Sequence, residues 1–309
     1  MADVAAALSA WLRDRGEPAE VTIRGRATVG LSQETWFVDV AGRDAVLRLP
    51  TASSGTRAIL TQRAALQAVA GRVPVPALYW YDDGADNPFG APFLVMERIA
   101  GEVPVGWHVV PEPERTALAE QAIDVLAALH TVDPAAVRHD GAGATELAFY
   151  ERRLARFDPL PPVLQGALWW LARNAPPPVE GVFAHGDFRM GNLLVDGGRI
   201  AGVLDWEMAG VGDPLADLAW CFIATWEPAG VDEPRLVRRY AERTGSPVDE
   251  ERLRWHRVLA YVRLAYYALA GSTAFARANS NDLRLAALAL QLPIHLDRLV
   301  TTIEGEPIT

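Results

Sequence analysis

The chain has 309 residues, half of them hydrophobic, with 29 basic against 39 acidic side chains and a formal net charge of −10. That length and apolar content accommodate two packed lobes, and the acidic balance argues against general binding to nucleic acid or to anionic membranes. One cysteine, Cys221, excludes an intrachain disulfide and a cysteine-built zinc site, in keeping with a reducing, cytoplasmic setting.

The opening run MADVAAALSAWLRDRG reads as a short amphipathic helix closed by Gly16, and it lacks the basic n-region of a secretion signal. VTIRGRATV, ETWFVDV and AVLRLP then alternate with the turns GLSQ and AGRD, as in an antiparallel meander. A helix follows from Thr56 to Ala70, stopped by Gly71, and ALYWYDD and APFLVMERI read as two more strands around GADNPFG.

After Gly101 the pattern turns helical: PERTALAEQAIDVLAALHTVD, then Glu146 to Arg156, then Val163 to Arg173. VFAHGDFRMGNLLV, the turn DGGR and IAGVLDWE supply a hairpin, and from Leu215 onward nearly everything has helical spacing. No apolar stretch reaches the ~18 residues of a membrane span; Arg263 interrupts the best, VLAYVRLAYYALAG. The expectation is α+β: a small antiparallel lobe with one helix over residues 1–98 and a larger, mainly helical lobe over 99–309, joined near Glu97–Gly101.

The chemistry concentrates in HGDFRMGN. Asp187 and Asn192 stand five apart on a loop between apolar strands, and Asp205 ends the strand IAGVL thirteen residues later. An amide and a carboxylate oxygen at neighbouring loop ends suit Mg²⁺, which takes a few hard oxygens and leaves the rest to phosphate and water. A further carboxylate, Asp187, is then available to accept a hydroxyl proton, and together these are the parts of phosphoryl transfer. Each residue alone has an ordinary explanation as a turn or cap residue; the ordered set does not.

The ordered set HGDFRMGN, VLDWE and GDPLADLAW resembles the phosphotransferase family typified by the aminoglycoside phosphotransferases, which has a protein-kinase-like fold. The loop follows the pattern H-G-D-x-x-x-x-N, and LDWE stands where protein kinases carry D-F-G. The resemblance implies that Asp187 orients the acceptor hydroxyl and takes its proton, that Asn192 and Asp205 hold Mg²⁺, and that Glu207 is a further metal candidate. His185 and Asp217 would brace the loop. ATP is the implied phosphate donor.

The small lobe must then supply three things. VGLSQET is placed to cover the phosphates, with Gly30, Ser32 and Gln33 as donors, although it is not a G-x-G-x-x-G loop. Arg48 in AVLRLP stands where kinases usually carry lysine; every basic residue here is arginine, which keeps the charge and binds phosphate through two parallel bonds. Gln62 stands where a helix glutamate is expected to orient that cation. Backbone at Glu97, Arg98 and Ile99 would meet the adenine edge beside Met96.

The acceptor is read from less. No dense acidic cluster suits a polycation. A Tyr, Leu and Ala stripe near Arg263 and Arg277, at a spacing equally typical of core, suggests a slot for an apolar, anionic substrate. The same helix, like VLR followed by an apolar residue and proline, resembles the branch fused to acyl-CoA dehydrogenases, which implies hydroxyacyl substrates. The leading expectation is an ATP-dependent kinase of a small hydroxylated molecule. The alternatives are an aminoglycoside resistance kinase and a nucleotide-binding pseudokinase. No APE-type segment follows LDWE, which disfavours a protein kinase.

Overall fold

Strand alternation in the first hundred residues builds a sheet whose two faces bury against different partners. The computed structural model describes residues 2–27, 33–51, 55–104, 106–137, 144–223, 230–279 and 282–305. β1 (Val21–Arg26), β2 (Gln33–Val40), β3 (Arg43–Pro50), β4 (Leu78–Asp82) and β5 (Phe93–Glu97) form one antiparallel sheet in the order β1-β2-β3-β5-β4. Trp36, Val38, Leu47 and Val95 point to one face and pack with Leu8, Trp11 and Leu12 of α1 (Ala2–Arg13). Val46, Leu94 and Met96 point to the other and pack with Ile59, Leu66 and Val69 of α2 (Gly55–Val69).

The small lobe therefore carries two helices where one was expected. The apolar stripe of the N-terminal helix is sheet core: without α1, the Trp36 and Val38 face would lie open to water.

The connection beyond β5 turns at Gly101 and is stitched to the large lobe, Glu102 exchanging two backbone hydrogen bonds with Val195 at 2.9 and 2.8 Å. Gly101 has φ 122°, and a Cβ there would lie 2.7 Å from the Val195 carbonyl oxygen, so only glycine permits this approach.

The large lobe contains α3 (Glu114–Leu129), α4 (Ala144–Leu154), α5 (Pro162–Arg173), β6 (Val182–Ala184), the hairpin β7 (Leu193–Asp196) and β8 (Arg199–Val203), and β9 (Gly210–Gly212). It continues with α6 (Pro214–Cys221), α7 (Glu233–Thr244), α8 (Glu250–Ala276), α9 (Leu283–Ala287) and α10 (Leu292–Glu304). β6 pairs with β9, a three-residue strand that the sequence pattern does not announce. The knot between β6 and β7 thus leaves one small sheet and enters another. One apolar cluster runs from α2 through the fully buried Trp206 to α3 and α6, so the two lobes share a core. A second cluster holds α4, α5, α8 and α10 together around Leu154, Leu171 and Tyr261. Among the described residues, no helix is long and apolar enough to cross a membrane.

Candidate active site

The knot is held from beneath by a buried carboxylate. Asp217, in the first turn of α6, accepts from the backbone N–H of His185 at 2.6 Å and of Gly186 at 2.9 Å. Burial works against its charge, but His130, His185 and the His185 N–H outweigh burial and hold the carboxyl below the usual carboxylate range. His185 is fully buried; its Nδ1 accepts from the Asp187 N–H at 3.2 Å and its Nε2 lies 3.0 Å from the Leu204 carbonyl. A backbone N–H only donates and a carbonyl only accepts, so these contacts set Nδ1 as the acceptor and Nε2 as the donor. The expected bracing roles of His185 and Asp217 match this geometry.

Asp187 is gripped on both oxygens. Trp220 Nε1 donates to Oδ1 at 2.7 Å; Asn192 Nδ2 donates to Oδ2 at 2.8 Å, and Arg189 Nε to the same oxygen at 3.3 Å. Arg263 Nη2 lies 3.7 Å from Oδ1, and the Arg263 guanidinium stacks 3.9 Å over the Trp220 ring while its Nη1 donates to the Gly186 carbonyl at 2.9 Å. A carboxylate oxygen has two lone pairs, so Asp187 retains room for one further donor such as an acceptor hydroxyl. Trp220 is the site residue that sequence reasoning passed over. Its signal was present: it follows Asp217 by three residues on α6, one turn along the same face.

Asp205 sits beside this loop. Leu204 N–H donates to the Asn192 carbonyl at 2.8 Å, tying the strand end to the knot. Asp205 has φ 66° and ψ 58°, a left-handed conformation that costs most L-residues free energy but that aspartate tolerates. Arg48 Nη2 donates to Asp205 Oδ1 at 3.4 Å across the cleft. Burial disfavours the Arg48 charge, and Asp205 and Glu207 oppose that effect.

The donor set suits Mg²⁺. Asn192 commits its amide nitrogen to Asp187, at both the backbone carbonyl and the carboxylate, which leaves Oδ1 to face a metal. Asp205 adds a one-third-exposed carboxylate. Among the described residues no three His, Cys, Asp or Glu side chains form a closed cage. Two hard oxygens without a cage fit a cation shared with phosphates and water, which is how Mg²⁺ is held in such sites. Glu207, the further metal candidate, accepts a hydrogen bond from Gln33 Nε2 at 2.9 Å.

Two of the expected small-lobe roles change. Gln62 is buried but makes no hydrogen bond to Arg48, and its Oε1 has no partner. Gln33 Oε1 accepts from Arg48 Nε at 2.7 Å and its Nε2 donates to Glu207, so both polar ends of its side chain have partners within the protein. The reason is register: Gln33 lies two residues from Thr35, which pairs directly with Arg48. Gly30 and Ser32 lie outside the described residues. At the expected adenine edge, the Glu97 N–H is already bonded to the Ala77 carbonyl at 2.8 Å, and Arg98 pairs with Asp44 at 3.2 Å. Glu97, Arg98 and Ile99 do line a cavity of about 390 Å³ with Arg48, Gln62 and Asp205.

A second cavity, about 570 Å³, opens on the other side of the knot. Gly186, Trp220 and Arg263 form its floor, Phe149 and Tyr150 of α4 an aromatic wall, and Arg57 and Arg152 also line it. Its acidic residues are mostly committed. Asp213 caps α6 and meets Arg252 at 2.6 Å and His256 at 3.1 Å. Burial raises the Asp213 pKa, but those partners outweigh it and hold the carboxyl far below its ordinary range. Arg277, expected near this slot, is exposed at the end of α8 and does not line it.

An antiparallel sheet lobe over a helical lobe, with Asp187 and Asn192 on one loop and Asp205 at the next strand end, gives the chain a protein-kinase-like architecture. Residues 24–256 match the profile of the phosphotransferase enzyme family, and the chain belongs to that family. It is 31% identical to acyl-CoA dehydrogenase family member 11 of Gallus gallus over 223 residues, 66% of this chain and 28% of that protein. Against the human protein of the same name, identity is 28% over 79% of this chain and 33% of the relative. The chain thus spans about a third of the length of these relatives. Aminoglycoside 3'-phosphotransferase of Niallia circulans is 26% identical over 66% of this chain and 78% of its own.

Solved structures agree on the fold. A candidate aminoglycoside phosphotransferase from Ralstonia eutropha superposes with a TM-score of 0.81 at 20% identity, covering 98% of this chain and 99% of that one. A thermostable mutant of aminoglycoside phosphotransferase APH(4)-Ia in ternary complex with ADP and hygromycin B gives 0.65 at 18% identity, covering 98% and 100%.

Proposed function

We propose that this chain transfers the γ-phosphate of ATP to a hydroxyl of a small molecule carrying an apolar body and an anionic group, of the hydroxyacyl kind. One observation carries the reading. Asp187 is held between two cavities, with Asp205 and Arg48 lining one and its holders Trp220 and Arg263 lining the other. A nucleotide in the first and an acceptor in the second would meet at this carboxylate.

Mg²⁺, when bound by Asn192 and Asp205, would neutralise the phosphate charge. Arg48 would pair with the phosphates from the opposite lobe. The purine edge would meet main chain at Arg98 and Ile99, since the Glu97 N–H is already taken. Asp187 orients the acceptor hydroxyl through a hydrogen bond and receives its proton as the phosphoryl group arrives. Its fixed rotamer matters, because misplacement by about 1 Å can cost ~100-fold in rate.

The cavity chemistry favours an anionic acceptor. Arg57, Arg152 and Arg263 line it, Arg263 while also meeting Asp187 and the Gly186 carbonyl, and Asp213 and Asp217 are neutralised within the protein. A polycationic sugar would need uncommitted carboxylates, and of the acids in this lining Asp213 and Asp217 are paired within the protein while Glu146 faces the Arg263 guanidinium. The relatives named for acyl-CoA dehydrogenases support the hydroxyacyl class.

The test is incubation of the purified chain with Mg·ATP and a panel of hydroxyacyl compounds, aminoglycosides and small alcohols, read by mass spectrometry, with Asp187→Ala as control. A phosphorylated hydroxyacyl product that vanishes in Asp187→Ala is the expected result. Phosphorylation of aminoglycosides alone would refute the acceptor class. Full activity in Asp187→Ala would refute the role of that carboxylate.

A further inference from the structure

We propose that Gln33 is the positioning residue for Arg48, doing from a neighbouring strand what a helix carboxylate at position 62 would do, and that its amide ties Arg48 to Glu207 across the cleft. The inference rests on the nucleotide-binding reading above.

Strand alternation places the side chain. Trp36, Val38 and Val40 bury beneath α1, so Gln33, Thr35 and Phe37 point to the opposite, cleft-facing side. Antiparallel pairing sets Thr35 opposite Arg48 and Gln33 opposite Pro50, which makes Gln33 a diagonal neighbour of Arg48 on one face. Gln33 is 5% exposed, so its two polar atoms need partners within the protein. Oε1 accepts from Arg48 Nε at 2.7 Å, and Nε2 donates to Glu207 Oε2 at 2.9 Å.

The partners also fix the amide's orientation. Arginine only donates and a carboxylate only accepts, so the oxygen must face Arg48 and the nitrogen Glu207. A carboxamide is suited to this place because it accepts at one end and donates at the other. A carboxylate at position 33 would set two negative groups side by side at Glu207. A hydrocarbon would leave the buried Arg48 Nε without an acceptor.

The contrast with Gln62 completes the argument. Gln62 is 1% exposed, lines the same cavity as Arg48 and leaves its Oε1 without a partner. The α2 side chain that sequence comparison nominates is therefore not what holds the cation. Arg48 instead has acceptors on β2, at Gln33, and on the Asp205–Glu207 segment, at Asp205 Oδ1. Gln33 links those two supports, so the cation is fixed relative to both walls of the cleft.

The experiment is calorimetric binding of ATP, ADP and adenosine to the full chain as wild type, Gln33→Ala, Arg48→Ala and the double variant, with melting temperatures alongside. Gln33→Ala is expected to weaken ATP and ADP about tenfold, the size of a lost hydrogen bond to a charged group, and to leave adenosine within about twofold. In the Arg48→Ala background, Gln33→Ala is expected to add nothing further, because the group it positions is gone. Gln33→Met, close in shape and unable to hydrogen-bond, replaces the alanine if that variant does not fold. Unchanged ATP affinity in Gln33→Ala, an equal loss for adenosine, or full additivity with Arg48→Ala would each overturn the proposal. If the wild type binds no nucleotide, this proposal and the functional reading fall together; if it binds and Gln33→Ala binds equally, only this one falls.

Discussion

Trp220→Phe isolates one bond in the grip on Asp187. The substitution keeps an aromatic ring beneath Arg263, 3.9 Å away in the native protein, and removes the indole N–H that reaches Oδ1 over 2.7 Å. A hydrogen bond to a charged partner contributes about 1.5–3 kcal/mol. At 1.36 kcal/mol per decade that is roughly 10- to 150-fold in rate if the whole bond matters in the transition state. Oδ2 remains tied to Asn192 at 2.8 Å, so the carboxylate is loosened and not released. The expected fall in kcat is therefore at the lower end, about 10- to 30-fold. The nucleotide KM should stay within about twofold, because Trp220 lines the other cavity. Loss of one buried bond should lower the melting temperature by a few degrees, at roughly 2–4 °C per kcal/mol. Steady-state kinetics with the acceptor found in the screen, plus a thermal melt, read all three. A kcat within about twofold of wild type would show that Asp187 does not depend on the Trp220 bond.

Three further outcomes follow from the same geometry. Asp205→Asn should weaken nucleotide binding in the presence of Mg²⁺ by about tenfold or more and change binding without Mg²⁺ much less, as read by calorimetry with and without chelator. Gly186→Ala should cost at least about 1–2 kcal/mol from backbone conformation alone, since φ is 79°, and the new Cβ would also strike the Met208 carbonyl; urea unfolding and activity report both effects. Asp213 and Asp217 titrate below their unfolded pKa of about 3.9, so their stabilisation is fully present above about pH 5 and is lost as pH falls through their folded values. Asp217→Asn should lower stability at pH 7 and flatten its decline toward pH 3 in urea titrations.

The elements that depend on local pattern were legible in the sequence. Period-two alternation marked the β1-β2-β3 meander and two further strands, and helical spacing with Gly and Pro punctuation marked α2, α3 and α5 to within a few residues. The polar knot was legible because its residues stand at fixed spacing between apolar runs. What escaped depends on contacts distant in sequence. β9 is three residues of Gly-Val-Gly, and only its pairing with β6 makes it a strand. The role of α1 required knowing that the outer sheet face was uncovered. Gln33 was read as a loop donor and Gln62 as the partner of Arg48, because analogy fixed the helix as the source of the orienting group. Strand register decided otherwise, and register is visible only once β2 and β3 are paired. Trp220 is core by burial, and its indole N–H gives it a second task that burial alone does not announce.

The stitching of the knot to the following strand divides the labour within the large lobe. His185 reaches Leu204, Leu204 reaches Asn192, and Asn192 reaches Asp187, so the groups that would handle phosphate form one braced block. Phe149 and Arg152 on α4 and Leu259 on α8 line the second cavity and take no part in that bracing. On the proposed function, the acceptor wall can therefore be rewritten by single substitutions on two helices while the block stays intact. Such a division makes this scaffold open to retargeting: a library confined to those wall positions would change which molecule is admitted and leave the transfer machinery in place.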